Sequence, residues 1–273
     1  MRFDRPIGTL LLLWPMLWGL WFAGNGTPAL KNLIIFVAGV IVMRAAGCVI
    51  NDYADRHLDG SVQRTRLRPI PAGEIAPKAA LILFAGLLLV ALLLVLMTNP
   101  MTIYLSMGGA VLAACYPFMK RITHLPQFVL GAAWAWSIPM VFSAEREALP
   151  AALWVLFMAV MLWTVAFDTY YAMVDRGDDV QIGIKSTAIL FGDRDLLIIA
   201  LLQIATLVCL AIIGVLFARG WVYFAGLVIA AIYFFNQHRQ SRGRTREACF
   251  KAFLNNNRVG MVIFISLALD YLL

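Results

Sequence analysis

Long apolar runs separated by short polar stretches dominate this chain, and their lengths identify the solvent it is built for. A helix rising ~1.5 Å per residue needs roughly 20 apolar residues to cross the hydrocarbon of a bilayer, somewhat fewer with tilt and favourable flanks. Nine runs meet that requirement: residues 7–23, 33–50, 79–97, 101–118, 127–142, 151–174, 196–218, 221–235 and 259–273. The pattern predicts an all-α polytopic membrane protein in which residues 1–273 form one transmembrane domain. The first run is expected to be a span, not a cleaved leader, because further runs follow it. Trp14, Trp21, Trp154 and Trp221 are expected in the interfacial aromatic belt.

Composition agrees with the pattern. Of the 273 residues 62% are hydrophobic and 14% charged, with a mean hydropathy of +0.84. A soluble domain carries about 25% charged residues, so this chain could not cover a water-facing surface. Four cysteines show no paired spacing and read as small apolar packing residues.

The net charge of +7 would suit nucleic acid only if the basic residues lined a groove on a soluble fold. Instead they sit between the apolar runs, which excludes nucleic acid as a partner and points to anionic lipid. Of the 22 lysines and arginines, all but four fall at the N-terminus or after the second, fourth, sixth and eighth runs. Lys31, Arg146 and Arg219 lie on the opposite side, and Arg44 lies inside the second run. The positive-inside rule then puts the N-terminus and the basic loops in the cytoplasm and the C-terminus on the far side.

Seven of the 15 acidic residues fall in two short stretches, both at cytoplasmic ends of runs. The first is Asn51-Asp52-Tyr53-Ala54-Asp55-Arg56-His57-Leu58-Asp59, and the second extends from Asp168 to Asp179 and includes Asp175 and Asp178. On a continued helix Asn51, Asp55 and Asp59 lie within about 80° of one another, and Asp168, Asp175 and Asp179 likewise share a face. Carboxylates crowded at a membrane boundary repel one another, and a divalent cation offsets that. Mg²⁺ takes oxygen ligands and commonly bridges one or two carboxylates to substrate phosphates. Helix capping or loop ion pairs account equally well for Asp52 and Asp178. The stretches recur four runs apart, which suggests two four-helix halves facing each other plus a ninth helix around a central cavity.

Basic residues flank the acids. Arg56, Arg64, Arg66, Arg68, Lys120, Arg121, Arg176 and Lys185 lie in the three nearest cytoplasmic segments and suit phosphate oxygens. Lys120 and Arg121 are the best placed, being the only charges of a short link; the positive-inside rule alone could explain the others. Arg44, seven residues before Asn51, shares its helical face and could meet an acceptor carboxylate. Its alternative is a structural partner such as Asp4. No histidine pair has zinc-ligand spacing, and no Walker loop or dinucleotide fingerprint occurs. A transporter would place its carboxylates near the bilayer midplane on broken helices, whereas these cluster at one boundary.

With these features the sequence resembles the UbiA-type intramembrane prenyltransferases, in particular bacterial members that prenylate 4-hydroxybenzoate. The resemblance rests on Arg2-Phe3-Asp4-Arg5-Pro6-Ile7-Gly8, Met43-Arg44-Ala45-Ala46-Gly47-Cys48, and the first acidic motif. It continues through Tyr116-Pro117-Phe118-Met119-Lys120-Arg121, the second acidic motif, and Ile182-Gly183-Ile184-Lys185-Ser186-Thr187. It departs at Pro69-Ile70-Pro71-Ala72-Gly73 and at Phe167, without loss of a ligand. The resemblance implies nine helices, a lateral opening that leaves the polyprenyl tail in membrane lipid, and a bacterial inner-membrane location. It implies Mg²⁺-dependent transfer of a polyprenyl group from polyprenyl diphosphate to C3 of 4-hydroxybenzoate in ubiquinone synthesis. The expected metal and catalytic ligands are Asp55, Asp59, Asp175 and Asp179 with Asn51; Arg56, Lys120, Arg121 and Lys185 are expected on the diphosphate, and Arg44 on the acceptor. Tyr53, Trp134, Phe167, Tyr170 and Tyr171 are the expected aromatic walls for an allylic cation. Naphthoate or porphyrin would be the alternative acceptors.

Overall fold

A computed structural model describes residues 4, 6–56, 70 and 72–273, and among these residues it contains α-helices, short 3₁₀ turns and no strand. The helices are α1 (Ile7–Ala23), α2 (Leu30–Ala54), α3 (Pro77–Leu96), α4 (Pro100–Ile122), α5 (Pro126–Ala135) and α6 (Ser137–Arg146). They continue as α7 (Ala152–Gln181), α8 (Thr187–Phe191), α9 (Asp195–Leu216), α10 (Trp221–Gln240) and α11 (Arg246–Leu272). Without water in the hydrocarbon, only a helix satisfies all its backbone groups internally. Proline at the first turn opens α3, α4 and α5, where its missing N–H is no loss. The Asn99 side chain caps α4 by accepting from the Thr102 N–H at 2.9 Å.

Among the described residues, seven spans are long and apolar enough to cross a membrane, α5 with α6 counting as one and α8 with α9 as another. The expected first and eighth spans are both helices: α1 has 17 residues, and α10 ends on the polar turn Asn236-Gln237-His238-Arg239-Gln240. The expected fifth span is broken at Trp136 into α5 and α6. Pro139 has no N–H to bond the Ala135 carbonyl four residues back, which explains the break.

The densest packing joins α7 to α9 and α5, α10 to α11, and α2 to α3, with α1 packed on α11 and α6. α11 packs on α1 through the Trp14 indole, which donates to Asn257 Oδ1 at 2.7 Å, and the Trp18 indole, which donates to the Gly260 carbonyl at 3.1 Å. Trp14 is thus tied to α11, whereas Trp154 and Trp221 are exposed. Inside this core the Trp163 indole donates to Asn256 Oδ1 at 2.9 Å, and Gln203 Nε2 donates to Gln237 Oε1 at 3.1 Å. These side chains must pair with one another because lipid offers no alternative. By contrast, α3 buries only Ala80, and α4 only Thr102 and Pro117. Cys48 and Cys249 are buried as packing residues, while Cys115 is exposed.

Gly131 of α5 lies so close to α7 that a Cβ there would sit 2.9 Å from the Met161 carbonyl oxygen. Gly131→Leu should therefore destabilise the fold by about 1–3 kcal/mol, read as a lowered Tm in detergent. Gly86→Leu on α3, where a Cβ meets nothing within 4 Å, should not lower it.

Candidate active site

The helices surround a cavity of about 710 Å³. At one end it is lined by Asn51, Asp52 and Asp55 from α2, Lys120 from α4, Asp168, Asp175 and Asp179 from α7, and Lys185 from the turn after α7. Two acidic stretches more than a hundred residues apart in sequence thus meet at one mouth. α7 runs through the second stretch to Gln181, so its carboxylates keep helical spacing. α2 instead stops at Ala54, and Asp55 occupies the C-cap with its N–H on the Asn51 carbonyl at 2.9 Å.

Two arginine side chains bond carbonyls at this helix end. Arg56 Nη1 donates to the Tyr53 carbonyl at 2.8 Å, and Arg121 Nη2 donates to the Ala54 carbonyl at 2.6 Å. The Arg56 guanidinium also covers the Tyr53 ring at 4.3 Å. Arg56, Arg121 and Tyr53 therefore stand behind the end of α2, outside the cavity lining. Asp59, with Arg64, Arg66 and Arg68, lies outside the described residues.

Asp55 is buried, and its Oδ2 accepts from Lys120 Nζ at 2.5 Å. Its Oδ1 is also buried but accepts no hydrogen bond, and the Arg121 guanidinium stands 3.9 Å away. A buried, half-satisfied carboxylate is costly and marks where a further cation fits. Asp175 is buried on the facing helix. Lys185 closes the mouth from below: its N–H donates to the Lys120 carbonyl at 2.9 Å, and its Nζ to the Ile122 carbonyl at 3.1 Å. Among the described residues no three acidic, histidine or cysteine side chains converge closely enough to hold an ion unaided. That donor set fits Mg²⁺, which typically keeps only one or two carboxylates and completes its shell with water and phosphate oxygens.

Below the mouth the lining becomes aromatic, with Trp134, Phe167, Tyr171, Phe250 and Phe253 around Tyr116 of α4. The Trp134 and Phe167 ring centroids are 5.5 Å apart, and those of Tyr171 and Phe253 are 4.7 Å apart. Tyr170 points the other way, into the core, because successive residues on a helix diverge by about 100°. Tyr116 was not singled out as a site residue by the sequence, yet it lines the same cavity as Asp168, Arg44 and Asp55. Arg44 lies at the cavity wall, donating to Cys48 Sγ at 2.9 Å and packing over Gly8 of α1.

Arg176, next to Asp175 in sequence, turns away from the cavity and pairs with fully buried Asp195. Arg244 Nη2 binds the same carboxylate at 2.9 Å, and Asp195 beside it holds the Arg244 guanidinium above the ordinary arginine range, so it stays charged. Arg246 Nη2 binds Asp178 Oδ1 at 2.8 Å. These pairs fasten the acidic end of α7 to α9 and α11. The one sequence signal for Asp195 was an acid in the first turn of an apolar helix.

This helical bundle, with two acidic motifs over an aromatic and apolar cavity, defines an intramembrane prenyltransferase, and the chain belongs to the UbiA prenyltransferase family, whose model matches residues 12–267. It is 58% identical to the 4-hydroxybenzoate octaprenyltransferase of Ectopseudomonas mendocina (strain ymp), covering 100% of this chain and 92% of that one. It is 57% identical to the enzyme of the same name from Saccharophagus degradans, covering 100% and 91%. A solved UbiA homolog from Aeropyrum pernix K1 shares the fold with a TM-score of 0.85 at 22% identity, over 99% of each chain. One from Archaeoglobus fulgidus, solved bound to GPP and Mg²⁺, has a TM-score of 0.77 at 18% identity, over 98% of this chain and 96% of that one.

Asp195→Ala would leave Arg176 and Arg244 without their shared anion. Because both arginines reach solvent, we expect a loss on the order of 2–4 kcal/mol, below that of a fully buried pair, read as a lowered unfolding midpoint in detergent.

Proposed function

We propose that this protein transfers an octaprenyl group from octaprenyl diphosphate to C3 of 4-hydroxybenzoate, releasing diphosphate, in the inner membrane of a bacterium. The observation that carries the reading is the pair Asp55 and Asp175, one from each acidic motif, buried at the mouth of one cavity whose depth is aromatic and apolar. The names of relatives at 57–58% identity supply the acceptor and the tail length. The carboxylates that line the cavity all lie on α2 and α7, and none lies at the helix break at Trp136, so the broken helix offers no transporter-like ion site.

Asn51, Asp55, Asp175 and Asp179, with Asp59, would hold Mg²⁺. Held by these residues, Mg²⁺ would supply positive charge to the departing diphosphate. Lys120 and Lys185 bind the diphosphate oxygens as point charges, and Lys120 exchanges part of its hold on Asp55 for the substrate. Arg56 and Arg121 fix the end of α2 from behind it and so hold Asp55 at the mouth. As the allylic carbon–oxygen bond breaks, Trp134, Phe167 and Tyr171 face the developing cation, and the enclosing helices keep water from it. The ring carbon ortho to the phenol forms the new carbon–carbon bond and loses its proton. Arg44, about 10 Å of helix below Asn51, pairs with the acceptor carboxylate and aims that carbon. The basic mouth faces the cytoplasm, where a charged donor and acceptor are available.

The test is prenyl transfer by purified protein in detergent with 4-hydroxybenzoate, octaprenyl diphosphate and Mg²⁺. Product that disappears with EDTA, and in Asp175→Ala of unchanged Tm, is expected; near-normal turnover by Asp175→Ala would remove the metal assignment. Gly8 supplies a separate check, because a Cβ there would lie 2.2 Å from Arg44 Nε. Gly8→Ala should raise KM for 4-hydroxybenzoate roughly tenfold, the scale of one lost charge-assisted contact. KM for the prenyl diphosphate should change much less, and an unchanged acceptor KM would place the carboxylate elsewhere.

A further inference from the structure

α2 presents Gly39, Met43, Gly47, Asn51 and Asp55 to the cavity at intervals of four residues. That spacing keeps them on one face, turning by only about 40° per step. The track is polar at the mouth and bare further in. A Cβ built on Gly39 or Gly47 meets nothing within 4 Å, whereas one on Gly8, Gly19, Gly131 or Gly260 would collide with a neighbouring helix. Close helix packing therefore accounts for those four glycines and leaves Gly39 and Gly47 unexplained. The space beside them belongs to the cavity that also holds the orphaned Asp55 Oδ1. Leu88, Leu92 and Val95 of α3 and Ala110 and Ala113 of α4 make the rest of this lining apolar.

We infer that Gly39 is a specificity-determining residue that keeps open the channel for the distal part of the prenyl tail, so that the side chain at this position sets the length of donor accepted. This rests on the prenyltransferase reading above and adds the part of the chain that measures its substrate. Gly39 precedes Asn51 by 12 residues, about 18 Å of helix rise. One extended isoprene unit spans about 5 Å, four carbon–carbon bonds of roughly 1.5 Å each along a zigzag. The first three units therefore lie between the diphosphate and Gly39, and the fourth passes beside it. A geranyl tail ends short of Gly39, and an octaprenyl tail must run past it. α3 and α4 also line this cavity but touch each other at few points, so the tail beyond the fourth unit reaches lipid between them.

The test compares kcat/KM for octaprenyl and geranyl diphosphate in purified wild type, Gly39→Ala, Gly39→Leu and Gly39→Phe. The expected result is a stepwise fall in the octaprenyl-to-geranyl ratio with side-chain size, at least tenfold for Gly39→Phe. Gly86→Phe, which fills open space on α3 outside the cavity lining, should keep the wild-type ratio. A ratio that stays constant across the Gly39 series, whether both donors keep their rates or lose them equally, overturns the inference. A folded wild type that prenylates 4-hydroxybenzoate with neither donor overturns the prenyltransferase reading itself, and this one with it.

Discussion

Lys120 reaching from the last turn of α4 to Asp55 at the end of α2 is the interaction on which the mouth of the cavity depends. A carboxylate withdrawn from water is tolerated only when its charge is matched and its oxygens are bonded. Asp55 meets half of that requirement. One oxygen is held by Lys120, and the other is buried without a hydrogen bond. The same stretch of α4 holds the Ala54 carbonyl through Arg121 and receives the N–H of Lys185 from the second acidic segment. Both motifs are thereby anchored to one short piece of chain, and the charge still missing is the kind that a metal–diphosphate supplies.

Packing divides unequally around that mouth. The second motif sits on α7, within the densest part of the bundle, and the salt bridges of Arg176 and Arg244 to Asp195 and of Arg246 to Asp178 hold its end to α9 and α11. The first motif sits on α2, whose neighbours α3 and α4 bury few residues. Elements with few buried apolar contacts open at the lowest free energy. One side of the cavity thus provides fixed carboxylates, and the other provides a wall that can yield to a long hydrocarbon tail. The aromatic rings of Trp134, Phe167 and Tyr171 lie between them, below the mouth.

Much of this was readable in the chain because membrane solvent leaves so few options. Apolar run length located the helices, and the asymmetric distribution of arginine and lysine oriented them. The recurrence of Asn51-Asp52 through Asp55 and of Asp175 through Asp179 at run ends marked the site. Those signals are local: each depends on spacing within one helix and on the cost of placing charge in lipid. The break at Trp136 was also within reach, since Pro139 removes a hydrogen bond wherever the helix goes.

Contacts between distant segments depend on how helices pack, and a sequence pattern does not encode them one residue at a time. Periodicity could not reveal that α2 ends at Ala54, because Arg121, 67 positions away, takes the Ala54 carbonyl. Arg56 and Arg176, like Lys120 and Lys185, are basic neighbours of the acids in sequence. Only the tertiary structure turned the first two away, onto Tyr53 and Asp195, and left the lysines in the cavity. Glycines are the sharpest case. The chain shows Gly8, Gly39 and Gly131 as the same residue, yet one makes room for Arg44, one opens onto empty space, and one admits a neighbouring backbone. The sequence by itself determined the membrane class and the chemistry at the boundary, because burial cost acts on each segment alone. The choice of which residues face the substrate was decided by the tertiary structure, because facing is a relation between helices.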